Sequence, residues 1–251
     1  MPTPAQRSFA RKLAAKPGAQ TSVTHRGTVM KTASCGKSEI VDRIRASEYE
    51  LQRAAIGEDL GVLKAMQSVT SKIEAKAVML PKYDPWVDGV IEAARAAEDD
   101  GKLIGQDDVL VETMIWAIDA ADHARALPRI RVFFRHGMEL PQRFDRTPGC
   151  LVAEEFAETA LKAMATDKAH VPDYAPLVEI AELTEDHDMP DPARAKLHKA
   201  IGMAIERATE AAQDEELPQA GGKKRGFQTA LEAYKRALAF DDKAGVKKSI
   251  E

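Results

Sequence analysis

Three observations predict an all-α fold. Apolar residues recur at helical spacing along most of the chain. The composition is rich in Ala, Leu, Glu and Lys, with aromatics at 5%, which favours helices over strands. No segment sustains the period-two alternation of β-branched residues that a sheet requires. The 251 residues suffice for one large domain or two small ones. The expected arrangement is helical hairpins, tetratricopeptide-like towards the C-terminus, behind a disordered basic N-terminal arm.

Residues 1–37 are rich in Ser, Thr, Gly and Pro and lack any helical or strand period, so they read as the disordered arm. Ser38 is the expected N-cap of a helical segment over 38–82, with Glu39 in its first turn. Ile40, Ile44, Leu51, Ile56, Leu60, Leu63, Met66, Val69, Ile73 and Leu80 form its apolar face. Gly57 and Gly61 weaken the middle, leaving open one long helix or a hairpin of two. Its other face is densely charged, from Asp42 and Arg43 through Arg53, Asp59, Lys64 and Lys72 to Lys76. Such a segment suits packing within the domain or oligomerisation with copies of itself.

Pro81 is expected to end that segment, and Asp84-Pro85 to restart a helix that Gly101 stops. This opens a helical domain over 83–216. Trp86, Val87, Val90, Ile91 and Ala94 give the restarted helix its apolar face. The next helix spans about Asp107 to Ile118, with Trp116 read as a core anchor in preference to a base-stacking residue. Another follows from about Asp122 to His136, closed by Gly137. Three more cover about Leu151 to Ala165, Tyr174 to Leu183 with Asp173 as a cap, and Pro190 to Ala212. The stretch PQAGGKKRG after Leu217 reads as a turn. It begins a C-terminal hairpin region, 217–251, whose two short helices split at Asp241 to Gly245. Ile201, Gly202 and Ile205, then Ala230, Tyr234 and Ala237, carry the small-and-large spacing of the two helices of a tetratricopeptide unit, interrupted by a long insertion. An ordinary helical bundle is the alternative.

The distribution of charge says more than the net of −4. Residues 1–38 hold Arg7, Arg11, Lys12, Lys16, Arg26, Lys31 and Lys37 and no Asp or Glu, which leaves 29 basic against 40 acidic side chains from Glu39 onward. A basic arm on an acidic body suits contact with nucleic acid, because phosphates attract it and counterion release drives association. A merely solvated tail is the alternative. A second cluster comprises Arg129, Arg131, Arg135, Arg143 and Arg146, with His136 among them. Arginine forks match phosphates and guanine edges, so this cluster either grips DNA or pairs with acidic faces of the protein and its neighbours. Cys35 and Cys150 read as reduced thiols. No run of 18 apolar residues occurs, so no membrane span is expected.

Phosphodiester cleavage commonly uses paired carboxylates to hold divalent metal. The candidates are Asp99-Asp100, Asp107-Asp108, Asp119 and Asp122 with His123, and Asp186-His187-Asp188 with Asp191. Adjacent acids on a helix point about 100° apart, and the others sit where helices start or turn, so each reads as a cap or turn residue. No catalytic residue, metal ligand or cofactor is assigned. There is no GxxxxGK[ST] loop for ATP, and no helix-turn-helix is recognisable near the N-terminus.

Three blocks carry a family resemblance: DPWVDGVIEAA at Asp84 to Ala94, QDDVLVETMIWAIDAADHARALPRIRVFFRHGMELPQRFDRTP at Gln106 to Pro148, and DMPDPARAKLHKAIG at Asp188 to Gly202. Over roughly residues 35–251 the chain resembles the small terminase subunit of peduovirus-type temperate tailed phages, often catalogued as the terminase endonuclease subunit. The resemblance implies a DNA-binding protein of the bacterial host's cytoplasm that recognises double-stranded viral DNA. It further implies delivery of that DNA to the large terminase subunit, the ATP-driven motor, and assembly of copies into a homo-oligomeric ring. Cutting and ATP hydrolysis would belong to the large subunit. A metal-dependent endonuclease in its own right and a helical scaffold binding only protein are the alternatives. Longer members of the family carry a basic C-terminal tail beyond the position of Glu251.

Overall fold

Nine helices and no strand occur among the described residues, 37–212 and 222–250, of this computed structural model, with side chains described from Ile44 onward. They are α1 Lys37–Ala65, α2 Val69–Asp99, α3 Asp108–Asp119, α4 His123–Arg135, α5 Pro148–Thr166, α6 Ala175–Leu183, α7 Asp191–Ala211, α8 Gly222–Phe240 and α9 Lys247–Ile250. The all-α fold expected from the sequence is the fold observed. Contacts divide the chain into two units, Met1–Arg43 and Ile44–Glu251. Of the first, the described part is the helical backbone from Lys37. Of the arm expected over residues 1–37, residues 1–36 lie outside the described residues and Lys37 opens a helix; the division expected at 216/217 also lies outside them.

Helix α1 runs unbroken through Gly57 and Gly61, neither of which has a neighbour crowding its Cα. The break comes at residues 66–68, where Ser68 caps α2 by accepting from the Ser71 amide at 3.3 Å. Helix α2 then passes through Pro81 and Pro85 to Asp99. The helix end expected at Pro81, the restart at Asp84-Pro85 and the division expected at 82/83 therefore all fall inside one element. Each proline removes a backbone hydrogen bond and costs about 3 kcal/mol in a helix interior. Leu80, Tyr83, Val87 and Ala94, however, form one buried stripe spanning both prolines. Burying each large apolar side chain contributes about 1.5–3 kcal/mol, so packing outweighs the local cost.

Helix α3 is central, with every residue from Val109 to Ile118 buried. Asp107 caps it, accepting from the Leu110 amide at 2.8 Å. Trp116 is 1% exposed and meets Tyr83 edge-on, centroids 5.9 Å apart, so the core-anchor reading holds. Around it, helices pack mainly on neighbours in the chain: α2 on α3 and α4, α3 on α4 and α5, α5 on α6 and α7, α6 on α7, and α7 on α8. Helix α1 joins this stack through side chains. Tyr49 stacks on Trp86 and its hydroxyl accepts the Asp108 amide, while Asp59 receives Tyr83 Oη at 2.5 Å and Lys82 Nζ at 2.9 Å.

The α7–α8 pair is antiparallel, since Thr209 lies by Gly226, Gly202 by Tyr234 and His198 by Phe240. A Cβ on Gly202 would come within 2.7 Å of the Tyr234 ring, so the small-against-large spacing is a direct contact. The turn expected over PQAGGKKRG is shorter than predicted: Gly222 to Gly226 already belong to α8. Gly226 is needed there because a Cβ would meet Thr209 Oγ1 at 2.2 Å.

Candidate DNA interface

The arginine cluster straddles α4 and the connection from α4 to α5. Gly137, with φ +65°, ends α4 in the left-handed region that glycine favours. The connection is pinned at both ends. Gln106 bonds the Glu139 amide and carbonyl at 2.9 and 3.1 Å, and Thr147 Oγ1 donates to the Asp188 carbonyl at 2.9 Å. Thr147 also caps α5, with Pro148 in its first turn. A loop held at both ends presents its arginines in defined positions.

Every described arginine of the cluster engages a carboxylate of the chain. Arg131 forks onto Glu179 at 2.5 and 2.8 Å, and Arg135 lies 3.6 Å from Glu98. Arg143 forks onto Glu112 at 2.5 and 2.6 Å with its guanidinium over the Phe144 ring. Arg146 reaches Glu154 at 2.8 Å and Glu155 at 3.6 Å. These four side chains are 45–68% exposed. Arg129 differs. Its side chain is 4% exposed, bonding Asp84 at 2.7 Å and the Arg125 carbonyl at 2.7 Å. Arg129 therefore leaves the expected DNA-facing set, because a guanidinium sealed in the core cannot reach a phosphate. His136 is likewise buried, its Nδ1 accepting the Ile104 amide at 3.2 Å. Arg7, Arg11, Lys12, Lys16, Arg26 and Lys31 lie outside the described residues; Lys37 opens α1, and its side chain also lies outside them.

Arg143 and Arg146 share a groove of ≈ 580 Å³ with lysines that sequence alone places only on a charged helix face. Lys64 comes from α1 and Lys72 and Lys76 from α2, facing Asp119 of α3, Glu155 of α5 and the two arginines, over a floor that includes Leu63, Ile115 and Trp116. Lys76 pairs with Asp119. Burial, then the nearby Asp119 charge, pushes the Glu155 carboxyl above its usual range. The signal available in sequence was the four-residue interval from Lys72 to Lys76, which puts both on one helix face. What the interval does not reveal is that the fold turns this face towards the arginine loop.

Several of the acids considered for metal-ion chemistry are engaged elsewhere. Asp107 caps α3 and also accepts Trp86 Nε1 at 3.1 Å; Asp108 pairs with Arg53 at 3.0 Å. Asp122 caps α4 and pairs with Arg125 at 2.6 Å. His123 stacks on Phe156, and burial lowers its pKa, favouring the neutral ring. No group of three or more His, Cys, Asp or Glu side chains among the described residues is placed to hold a metal ion. None of the described helices is long and apolar enough to cross a membrane.

Fold and site together define a class: an all-helical stack whose acidic body carries a basic groove. The family model described as phage small terminase subunit matches residues 53–192, more than half of the chain. The chain is also 34% identical over 222 residues to the protein named "Terminase, endonuclease subunit" of Escherichia phage P2, covering 88% of this chain and 79% of that protein. It belongs to the phage small terminase subunit family, which gives it a role in phage DNA packaging. No solved structure matches the chain.

Proposed function

We propose that this chain binds double-stranded viral DNA at the packaging and end-cutting site and delivers it to the large ATPase and nuclease subunit. It works as a homo-oligomer, a ring, in the cytoplasm of the bacterial host. The observation that carries the reading is the accessible set Arg131, Arg135, Arg143 and Arg146 on a family member with an acidic body. Each guanidinium already lies against a carboxylate, and the same N–H groups can donate to phosphate oxygens. The basic side chains at 7, 11, 12, 16, 26, 31 and 37 add non-specific attraction that falls with salt. Self-association is supported by Ile44 and Leu51, 54% and 68% exposed on α1, with Val62 on the same stripe.

The name of the phage P2 relative suggests a second reading, an endonuclease in its own right. We favour cutting by the large subunit, because Asp107, Asp108, Asp119 and Asp122 are committed to caps and ion pairs. The test mixes the full chain, a duplex bearing the packaging site, Mg²⁺ and the large subunit. The expected result is a ternary complex that forms only with this chain present, and cleavage only with the large subunit. Cleavage by this chain alone, abolished by an Asp122 or Asp188 substitution, would establish the second reading.

A further inference from the structure

We propose that the groove between the α1–α2 junction and the 143–151 segment is a phosphate-backbone site. In it Lys64 and Lys72 are the standing cations, and Arg143 and Arg146 are cations held in reserve. The inference rests on the DNA-binding reading and assigns it a place. Five basic side chains line the groove against two acidic ones, on a chain of net charge −4. They come from three separate parts of the chain: the end of α1, the first two turns of α2 and the α4–α5 connection. Three of the five are neutralised, Lys76 by Asp119, Arg143 by Glu112 and Arg146 by Glu154. Lys64 and Lys72 enter no ion pair among the described residues and outnumber the one remaining lining acid, Glu155, so they set the positive sign of the groove.

The two kinds of cation have different tasks. Unpaired lysine ammonium groups act as point charges that draw in a polyanion and release its counterions. Arg143 forks onto Glu112 and Arg146 reaches Glu154 through one nitrogen; the two non-bridging oxygens of a phosphodiester offer an anionic acceptor pair as a carboxylate does, so an arriving phosphate replaces one acceptor by another. Glu112 side-chain exposure is 8% against 45% for Arg143. The carboxylate therefore lies beneath its arginine, and the guanidinium keeps an outward face. The apolar floor of Leu63, Ile115 and Trp116 offers no competing polar partner, and Trp116 is too deeply buried to stack on a base. The site accordingly grips backbone and carries no base readout of its own.

The experiment measures affinity for one duplex over a salt series, using the full wild-type chain, a Lys64→Gln/Lys72→Gln variant and a Lys247→Gln/Lys248→Gln control of equal charge change on α9. Removing two phosphate contacts is expected to lower the salt slope by about two. Affinity at low salt should fall on the order of tenfold, since binding is dominated by phosphate contacts. The control should change neither quantity appreciably. Neither lysine is in the buried core, and matching thermal unfolding curves would confirm an intact fold. Wild-type binding with an unaltered slope in Lys64→Gln/Lys72→Gln overturns the groove and leaves DNA binding standing. Absence of wild-type binding overturns both. If the double variant keeps its DNA slope but loses the purified large subunit, the groove is a protein dock and this proposal fails.

Discussion

Asp84 illustrates how a single carboxylate organises both proline-bearing α2 and arginine-bearing α4. It accepts from Arg125 at 3.0 and 3.2 Å and from the buried Arg129 at 2.7 Å. Burial alone would raise its pKa, but the hydrogen bonds and charges of Arg125 and Arg129 outweigh that and hold it below the usual carboxylate range. A group depressed in the folded state contributes stability above its unfolded pKa and loses it as pH falls through the folded value. Asp84→Asn should therefore destabilise the protein at neutral pH, by about 3 kcal/mol given that breaking a buried ion pair costs roughly 3–5 and Asp84 is partly exposed. The deficit should shrink as pH drops through and below the ordinary carboxylate range. Urea titrations of both proteins across pH check this. An unchanged midpoint at neutral pH would mean Arg129 tolerates its burial without Asp84.

Among elements, the α7–α8 pair and helix α2 show what periodicity can and cannot reveal. The small-and-large spacing that includes Gly202 and Tyr234 was legible as a pattern, though not the contact between them, and the caps Asp107 and Asp122 were legible because each depends on local chain geometry. The continuity of α2 through Pro81 and Pro85 was not legible. A proline's local cost is visible in sequence, whereas the stripe Leu80, Tyr83, Val87 that repays it gains value only once α3 covers it. The site divided in the same way. Clustering identified the arginines of 129–146, but tertiary placement withdrew Arg129 into the core and brought up Lys64, Lys72 and Lys76 from two other helices. Gly202→Ala should cost about 1–3 kcal/mol by overpacking, since its methyl would meet the Tyr234 ring at 2.7 Å. A second change, Tyr234→Leu, should recover part of that loss in the double variant. Thermal unfolding of the four proteins of this cycle measures the coupling, and strictly additive effects would place the two residues out of contact.

For the whole molecule, the described body and the family role fit one account. Helices α2, α4 and α5 pack on α3 and α7 packs on α5, the carboxylates of that stack hold arginines at its surface, and α1 leaves Ile44 and Leu51 uncovered. Under the proposed function several copies act around one duplex, so that weak backbone contacts in each copy add along the DNA. Light scattering coupled to size exclusion tests this most directly, applied to the full chain with and without a duplex carrying the packaging site. The account predicts a stable multimer of high order that co-elutes with duplex at low salt and releases it as salt rises. A monomer whose elution ignores the duplex at every salt concentration would contradict it.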